Sequence, residues 1–585
     1  MAGFTTRPVI MATRGVVTAG HYLAAEVGIR MLQSGGNAFD AGAAMGFALA
    51  VLMPQDYGIG GEAPTLVHSA ERGEVFAVNG HGVAPRAATI DHFKKMGIDK
   101  IPGDGFLPAV VPAAVDSYIT TLAIFGTMPL AEVLAPALEL AGQGFPMYEA
   151  LRSSCESNLA HWQKHYPSSA AIFAPGGRVL ELGEVLVQRD WAATLRLLVE
   201  AERKAVAGSR TAALRVARDV FYRGEPARQM VAFQRENEVV DASGKAHAGL
   251  LTEEDFAGYS GRVEPAVGAE YRGLKVYKCN SWCQGPVFLQ QLALLEGFDL
   301  AAMGHNSADY IHTVIEAAKL AFADREAYYG DPDFVEVPLD RLLSKEYAEE
   351  RRKLIDPKRA CLDDRPGGGA GGRKRERPDE RGPEVDWPVH HRGDTTHCDA
   401  IDSLGNMMSI TPSGGWFHSS PVIPGLGFQL GTRGQMFVLD PEHPNCLAPR
   451  KRPRSTLTPS LVTKDGRPWM VFGTPGGDCQ DQWTLQAFLN HVDFGMNLQA
   501  AIDAPNFHSE HFRNSFYPRE ERPGVMVVEG RIPGEVRKEL EARGHQVEVE
   551  GDWSGGSVLA IRFDADTGLI SGAASPRGQS YAIGW

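Results

Sequence analysis

The stretch GDTTHCDAIDSLGNMMSIT, residues 393–411, decides how the rest of the chain is read. TTHCDAID and NMMSIT flank a short Ser-Leu-Gly turn, the pattern of a β-hairpin. In front of it, residues 365–393 run RPGGGAGGRKRERPDERGPEVDWPVHHRG, with few apolar side chains, and no packed structure is expected there. A charged leash that opens directly onto Thr395-Thr396 has one chemical reading that uses every part of it. Breaking the bond between Asp394 and Thr395 makes Thr395 a chain N-terminus. Its α-amine, far less basic than a lysine's, can then take the proton of its own Oγ. Before the cut, the same Oγ can attack the Asp394 carbonyl and shift the acyl group from nitrogen to oxygen. The plain alternative is a surface linker leading into an ordinary strand. These residues alone leave both open.

The totals set outer bounds. A chain of 585 residues is too long for one ordinary core, so two domains or one large two-lobed unit are expected. A net charge of −14 argues against non-specific nucleic-acid binding. The seven cysteines are scattered and odd in number, which argues against a disulfide framework. Cys279 and Cys283 have no second pair to complete a zinc site, and nothing in the sequence calls for a metal or other cofactor. MAGFTTRPVIMATRG lacks the long apolar core of an export signal, and no later window is long enough to span a bilayer. A cytoplasmic protein without membrane partners is therefore expected.

Along the chain, GVVTAG reads as a strand and HYLAAEVGIRMLQSGG as a helix stopped by Gly35 and Gly36. NAFDAGAAMGFALAVLM reads as a second helix capped by Asn37. Two strands follow in PTLVHSA and GEVFAVNG. Residues 113–265 are mostly helical in pattern, with a capping-box signal at Thr252, and SADYIHTVIEAAKLAFADREAYYGD is a long helix ending at Gly330. The C-terminal third is β-rich. Helices and strands mixed in this way predict α/β or α+β layering.

Two further segments carry candidate chemistry. In GTPGGDCQ a strand runs into Gly476-Gly477 and a helix start, where backbone N–H groups can hold an oxyanion. No Lys-Ser/Thr follows at the spacing of a phosphate loop, so that rival is excluded. A plain strand-to-helix turn is the bland reading. APRKRPRSTLTPS crowds Arg450, Lys451, Arg452 and Arg454 against Ser455 and Thr456, either as a solvated basic run or as a carboxylate site. His391 and His397 flank the processing point and are read as incidental.

Together GGNAFDAGAA, YGIGGE, FGTMPLAEVLAPALELAGQGFP, AAKLAFADREAYYGDP, GDTTHCDAIDSLGNMMSIT and GTPGGDCQ resemble, in order, the gamma-glutamyltransferase family of N-terminal-nucleophile hydrolases. The resemblance implies an α+β, four-layer αββα sandwich. It also implies a precursor cut into a large subunit, 1–394 with linker 365–394, and a small subunit, 395–585. By position it makes Thr395 the nucleophile and base, Ser413 the second hydroxyl beside it, Gly476 and Gly477 the oxyanion pair, and Ser455 and Thr456 the pair holding the substrate carboxylate.

The departures from the family pattern concern the substrate. Where the transpeptidases have a carboxylate-binding Arg, NGHGVAP has His81, and where they have an Asn, Gly415 stands. Where they have an amine-binding Asp, GTRGQMF offers Arg433. The pattern is closer to the family's acylase and amidohydrolase branch. The expected substrate is a small amide whose acyl part carries a carboxylate that meets Arg433; the plain alternative makes Arg433 part of a surface or structural ion pair. The alternatives are a true gamma-glutamyltransferase or glutathione hydrolase, and an uncut relative that only binds. Expected partners are that small molecule and the chain's own two subunits, with a homo-oligomer of the pair possible in principle.

Overall fold

The structure, a computed structural model, describes residues 4–205, 208–368 and 395–585. Asp394, His391 and the leash from residue 369 lie outside the described residues. In chain order the strands that matter are β1 (Ile10–Ala12), β2 (Gly15–Ala19), β3 (Thr65–Ser69), β4 (Glu74–Val78), β5 (Val263–Pro265), β6 (Val267–Tyr271) and β7 (Leu274–Lys278). After the leash come β8 (Cys398–Asp402), β9 (Met407–Ile410), β10 (Ser460–Lys464), β11 (Arg467–Gly473), β12 (Leu559–Asp564), β13 (Leu569–Ala574) and β14 (Tyr581–Gly584). They form two seven-stranded sheets, one ordered β1-β13-β12-β11-β10-β7-β6 and the other β14-β2-β8-β9-β3-β4-β5. Neighbours pair antiparallel throughout both.

The two-residue period of a strand sorts side chains between the layers. On β8, Cys398 and Ala400 enter the core under the helices, while Ile401 enters the core between the sheets. On β9, Met408 and Ile410 go outward and Met407 inward. On β11, Met470 and Phe472 go outward and Val471 inward. Strands buried on both faces need helices on both outer sides. α1 (Tyr22–Gln33) and α2 (Ala38–Leu52) cover the second sheet, with α3 (Ala114–Phe125) beyond them. α4 (Pro286–Leu295), α5 (Ala308–Tyr328) and α6 (Gln480–Val492) cover the first. The result is the four-layer αββα sandwich that the sequence led one to expect.

Local chemistry explains the helix bounds. The Asn37 side chain accepts from the N–H groups of Phe39 and Asp40, and Asp40 returns a bond to the Asn37 N–H, closing a capping box. Thr252 and Asp255 do the same. α2 is buried at every position, which demands small residues on its crowded sides. A Cβ at Gly46 would lie 2.4 Å from the Tyr118 ring. α5 stops at Tyr328, two residues before the expected Gly330. A smaller sheet of Phe507–Ser509, Val525–Glu529 and Gln546–Glu550 has no counterpart in the sequence reading.

Both sides of the leash contribute to both sheets. β8 and β9 lie between β2 and β3, and β10 lies beside β7. Among the described residues no helix is long and apolar enough to cross a membrane.

Candidate active site

Thr395 joins the second sheet just before β8. It pairs antiparallel with Ser413, and Ser413 pairs antiparallel with Glu62. The Glu62 N–H donates to Ser413 O at 2.8 Å and the Ser413 N–H to Glu62 O at 3.0 Å. Residues directly opposite in such a ladder project to the same face, so the three side chains form a row. Thr395 Oγ1 donates to Ser413 Oγ at 3.1 Å. Arg433 Nη2 donates to the same Ser413 oxygen at 2.8 Å, and Arg433 Nε to Glu62 Oε2 at 3.2 Å. The glycines of YGIGGE permit this approach: a Cβ at Gly61 would sit 2.2 Å from Ser413 O.

Arg433 is therefore placed away from open solvent. It is fully buried, with its guanidinium against the rings of Trp416 and Phe516, 5.1 and 5.9 Å from their centroids, and Nη1 near Met436. Glu62 supplies its counter-charge. Burial pushes the Glu62 carboxyl up, and Arg433 works against that. His81 is buried nearby with Trp282 edge-on at 5.8 Å. Burial, and then the Arg433 charge, pull its pKa down to about 3, so it is neutral. Nδ1 lies 3.2 Å from Gly82 O and carries the hydrogen, which leaves Nε2 an acceptor without a partner among the described residues.

The Gly476-Gly477 turn follows β11 and leads through a short 3₁₀ turn, Gly477–Cys479, into α6. Gly476 has φ 124° and Gly477 φ 54°. Neither N–H finds an acceptor among the described residues. Trp483 fills the space where a Gly476 Cβ would go, 2.2 Å away. Phe516 stands 3.0 Å from that position on Gly477 and also flanks Arg433, so one ring joins the turn to the Thr395 row. Asp478 anchors the turn by accepting from the Ser515 N–H at 2.7 Å and from Arg325.

Ser455 and Thr456 run beside Trp282, the ring that packs on His81. The Ser455 N–H donates to Trp282 O at 3.1 Å, and Gln284 N–H to Ser455 O at 2.8 Å. Ser455 Oγ accepts from Leu457 N–H at 3.4 Å, whereas Thr456 Oγ1 is buried with no partner among the described residues. The neighbouring guanidiniums are committed within the protein, Arg452 to Asp331 at 2.5 Å and Arg454 to Glu326 at 2.6 Å. These bonds hold the segment in place.

Two residues escaped the sequence reading. Glu62 was part of a Gly-rich turn, and only the fold brings it to Arg433. His397, read as incidental, is fully buried and lies 3.0 Å from Thr411 Oγ1 and 2.9 Å from Asp399 Oδ1. Thr18 Oγ1 donates to the other Asp399 oxygen at 3.0 Å. The spacing TxHxD, which puts all three side chains on one strand face, was the available signal.

A cluster of His312, Glu316 and His545 brings three ligand atoms within 4.8 Å. Glu316 is already engaged by Lys319 at 2.7 Å and Arg365 at 2.9 Å, and His312 Nδ1 and His545 Nε2 face each other at 2.8 Å. Two cations on the carboxylate make a poor cation donor set. An 830 Å³ cleft lined by Arg14, Arg72, Asp402, Leu404 and Trp585 lies at the hairpin end of β8, away from Thr395.

Comparison with known proteins places this geometry. Residues 24–585 match the family model described as Gamma-glutamyltranspeptidase. The glutathione hydrolase-like YwrD proenzyme of Bacillus subtilis (strain 168) is 33% identical over 582 residues, 98% of this chain and 99% of that protein. The solved structure of LmbA2991T421A is 44% identical with a TM-score of 0.94, covering 100% of both chains. The cephalosporin acylase of Bacillus halodurans is 33% identical with a TM-score of 0.84, covering 100% of this chain and 98% of its own. The chain belongs to the gamma-glutamyltranspeptidase family and is an amidohydrolase or acyltransferase of that kind.

Proposed function

We propose that the chain is a self-processing amide hydrolase that forms its acyl-enzyme on Thr395. The observation that carries this reading is the position of Thr395. It directly follows the charged leash in sequence, its Oγ1 bonds Ser413, and the Gly476-Gly477 turn stands across Phe516 with both N–H groups unpartnered among the described residues. Cleavage before Thr395 frees its amine, which takes the Oγ proton as Oγ attacks the substrate carbonyl. The Gly476 and Gly477 N–H groups hold the oxyanion. As the C–N bond breaks, the ammonium returns its proton to the leaving amine. Water, or an acceptor amine in a transferase, then attacks the acyl ester and releases Thr395. The relatives named as proenzymes support the processing step.

For the substrate, a small amide, the surroundings are close to electrically balanced. Glu62 answers Arg433, and His81 is neutral. A carboxylate on the acyl group has only the Nη1 edge of Arg433 to meet, because Nε and Nη2 already serve Glu62 and Ser413. Among the described residues, His81 Nε2 is left as a neutral acceptor and the Thr456 hydroxyl as an unpartnered donor for other polar groups of a substrate.

Intact mass and N-terminal sequencing of the purified chain test the mechanism: a fragment beginning at Thr395 is expected, and an uncut chain with amide-hydrolysing activity refutes it. A panel of oxamate, a glutaryl amide, a neutral acyl amide and a γ-glutamyl anilide tests the substrate class. Preferential turnover of the anilide makes the protein a glutathione hydrolase instead.

A further inference from the structure

The Glu62–Arg433 pair is fully buried, and its second attachment is to the hydroxyl beside the nucleophile, not to solvent or to an open pocket. We propose that Arg433, held by Glu62, is a positioning residue that acts on Thr395 through Ser413. The proposal rests on the reading of Thr395 as nucleophile.

The valences of the row support it. A guanidinium has donors only, so Arg433 Nη2 occupies a lone pair of Ser413 Oγ and the Ser413 hydrogen cannot point back at it. With Thr395 still a hydroxyl, it donates to Ser413. Once that proton has passed to the amine, the Thr395 oxygen has only lone pairs, and the Ser413 hydrogen can turn to it. A hydroxyl that receives a charged hydrogen bond is the stronger donor, so Arg433 steadies the attacking oxygen from one residue away.

The backbone holds the arrangement in register, since Thr395, Ser413 and Glu62 occupy opposed positions of one ladder. Trp416, Met436 and Phe516 form a small apolar cluster around the guanidinium. Among the described residues His81 and Tyr57 are ionisable side chains that the charges of the pair reach. Burial pulls the first down to about 3 and pushes the second above its usual range, so both are neutral near pH 7. Glu62 and Arg433 are the charges in the row with Thr395, and Asp399, on the same strand face beyond His397, adds a carboxylate that substituting either leaves unchanged.

Charge gives the test a sign. The free Thr395 amine must be unprotonated to act, and a nearby cation lowers its pKa while an anion raises it. Wild type, Arg433→Met, Glu62→Gln and the double variant are acylated with p-nitrophenyl acetate across pH, reading the p-nitrophenolate burst and the mass of the Thr395 fragment. Arg433→Met should slow the burst about tenfold or more and move its acid limb up by about one pH unit. Glu62→Gln should move the limb down by about as much. The double variant, which removes both charges, should return the limb near wild type while the burst stays slow.

Limbs that do not move, or that move the same way in both single variants, overturn the proposal. A double variant with a wild-type burst also overturns it, and that comparison still decides the matter if a single variant fails to fold. A wild type labelled on Thr395 with unmoved variants removes this inference alone, whereas a wild type neither cut nor labelled there removes the nucleophile reading with it.

Discussion

Replacing Gly476 by alanine tests the oxyanion turn at its most demanding position. The residue has φ 124° and ψ 28°, a region in which a side chain is strained by about 1–3 kcal/mol. The added Cβ would also stand 2.2 Å from Trp483 Cζ3. That indole is 6% exposed and packs edge-on to His508 at 5.3 Å, so it has little room to withdraw. The turn must rotate instead, which swings the Gly476 N–H away from the developing charge. Losing one such donor costs about 2.7–4 kcal/mol of transition-state stabilisation, or about 10²–10³ in kcat. Gly477→Ala is the internal control. Its φ of 54° is tolerated by other residues at about 1 kcal/mol, and its Cβ would lie 3.0 Å from the outer edge of the Phe516 ring. It should lose about tenfold or less. Single-turnover acylation of the two processed variants, beside thermal unfolding of each, separates catalysis from stability. If Gly476→Ala keeps activity within about fivefold of wild type, or if Gly477→Ala is the worse of the two, the turn does not act as argued.

Three further outcomes are expected. Thr395→Ala should remain a single chain on a denaturing gel, while Thr395→Ser should still be cut, more slowly or faster but at the same bond by N-terminal sequencing. Asp399→Asn leaves either the Thr18 hydroxyl or His397 without its acceptor in a fully buried site, and should cost about 1–3 kcal/mol, measured by denaturant unfolding in the Thr395→Ala background. Glu510→Gln should alter the pH profile of stability with a definite sign. The imidazole of His508, 3.5 Å away, and then Arg522 hold the Glu510 carboxyl down at about 2. Burial pulls His508 down, but Cys479 and Glu510 outweigh it and hold it up at about 10. The carboxylate's contribution is therefore present above its ordinary 4.5 and lost as pH falls toward 2. The imidazole's is complete below 6.5 and lost as pH rises toward 10. Wild type should exceed the variant in stability most between those limits, with the gap closing on both sides in unfolding titrations.

What was legible in the sequence was local. Asn37 and Asp40 stand three apart, so their capping box is visible in a line of text. TTHCDAID and NMMSIT around Ser-Leu-Gly show a hairpin, although strands buried at every position carry no polarity alternation to say which side chain enters which layer. The leash before Thr395 shows as a change of composition, and the Gly-Gly turn as a strand giving way to a helix. What was not legible depends on distance along the chain. Glu62 and Arg433 are 371 positions apart, and no periodicity links an acid in a Gly-rich turn to an arginine in GTRGQMF. Read alone, Arg433 was either a cation awaiting a substrate or one half of an ion pair whose partner the sequence did not name. The fold gives it a carboxylate of its own and a hydroxyl to serve. His397 was discounted for want of a neighbour, although Asp399 lay two residues away on the same strand face. The small sheet was missed although VMVVE and QVEVE carry a β-branched run and a two-residue alternation; its strands are short, and the pairing of Val525–Glu529 with Gln546–Glu550 spans an intervening helix.

The interleaving of strands has a consequence for how the protein can be taken apart. Under the proposed processing, the chain folds as one molecule before the bond ahead of Thr395 is broken, and the second sheet closes when β8 and β9 slot between β2 and β3. Afterwards the same ladder has to be rebuilt by two molecules that must first meet. Neither has a finished sheet to start from, and each would present bare strand edges while it waits. Unfolding of the cut form is then set against a second-order return that slows with dilution, whereas the uncut form refolds at a rate independent of concentration. The proposed processing would work as a ratchet: a protein assembled once within a single chain is kept by the slowness of its dissociation.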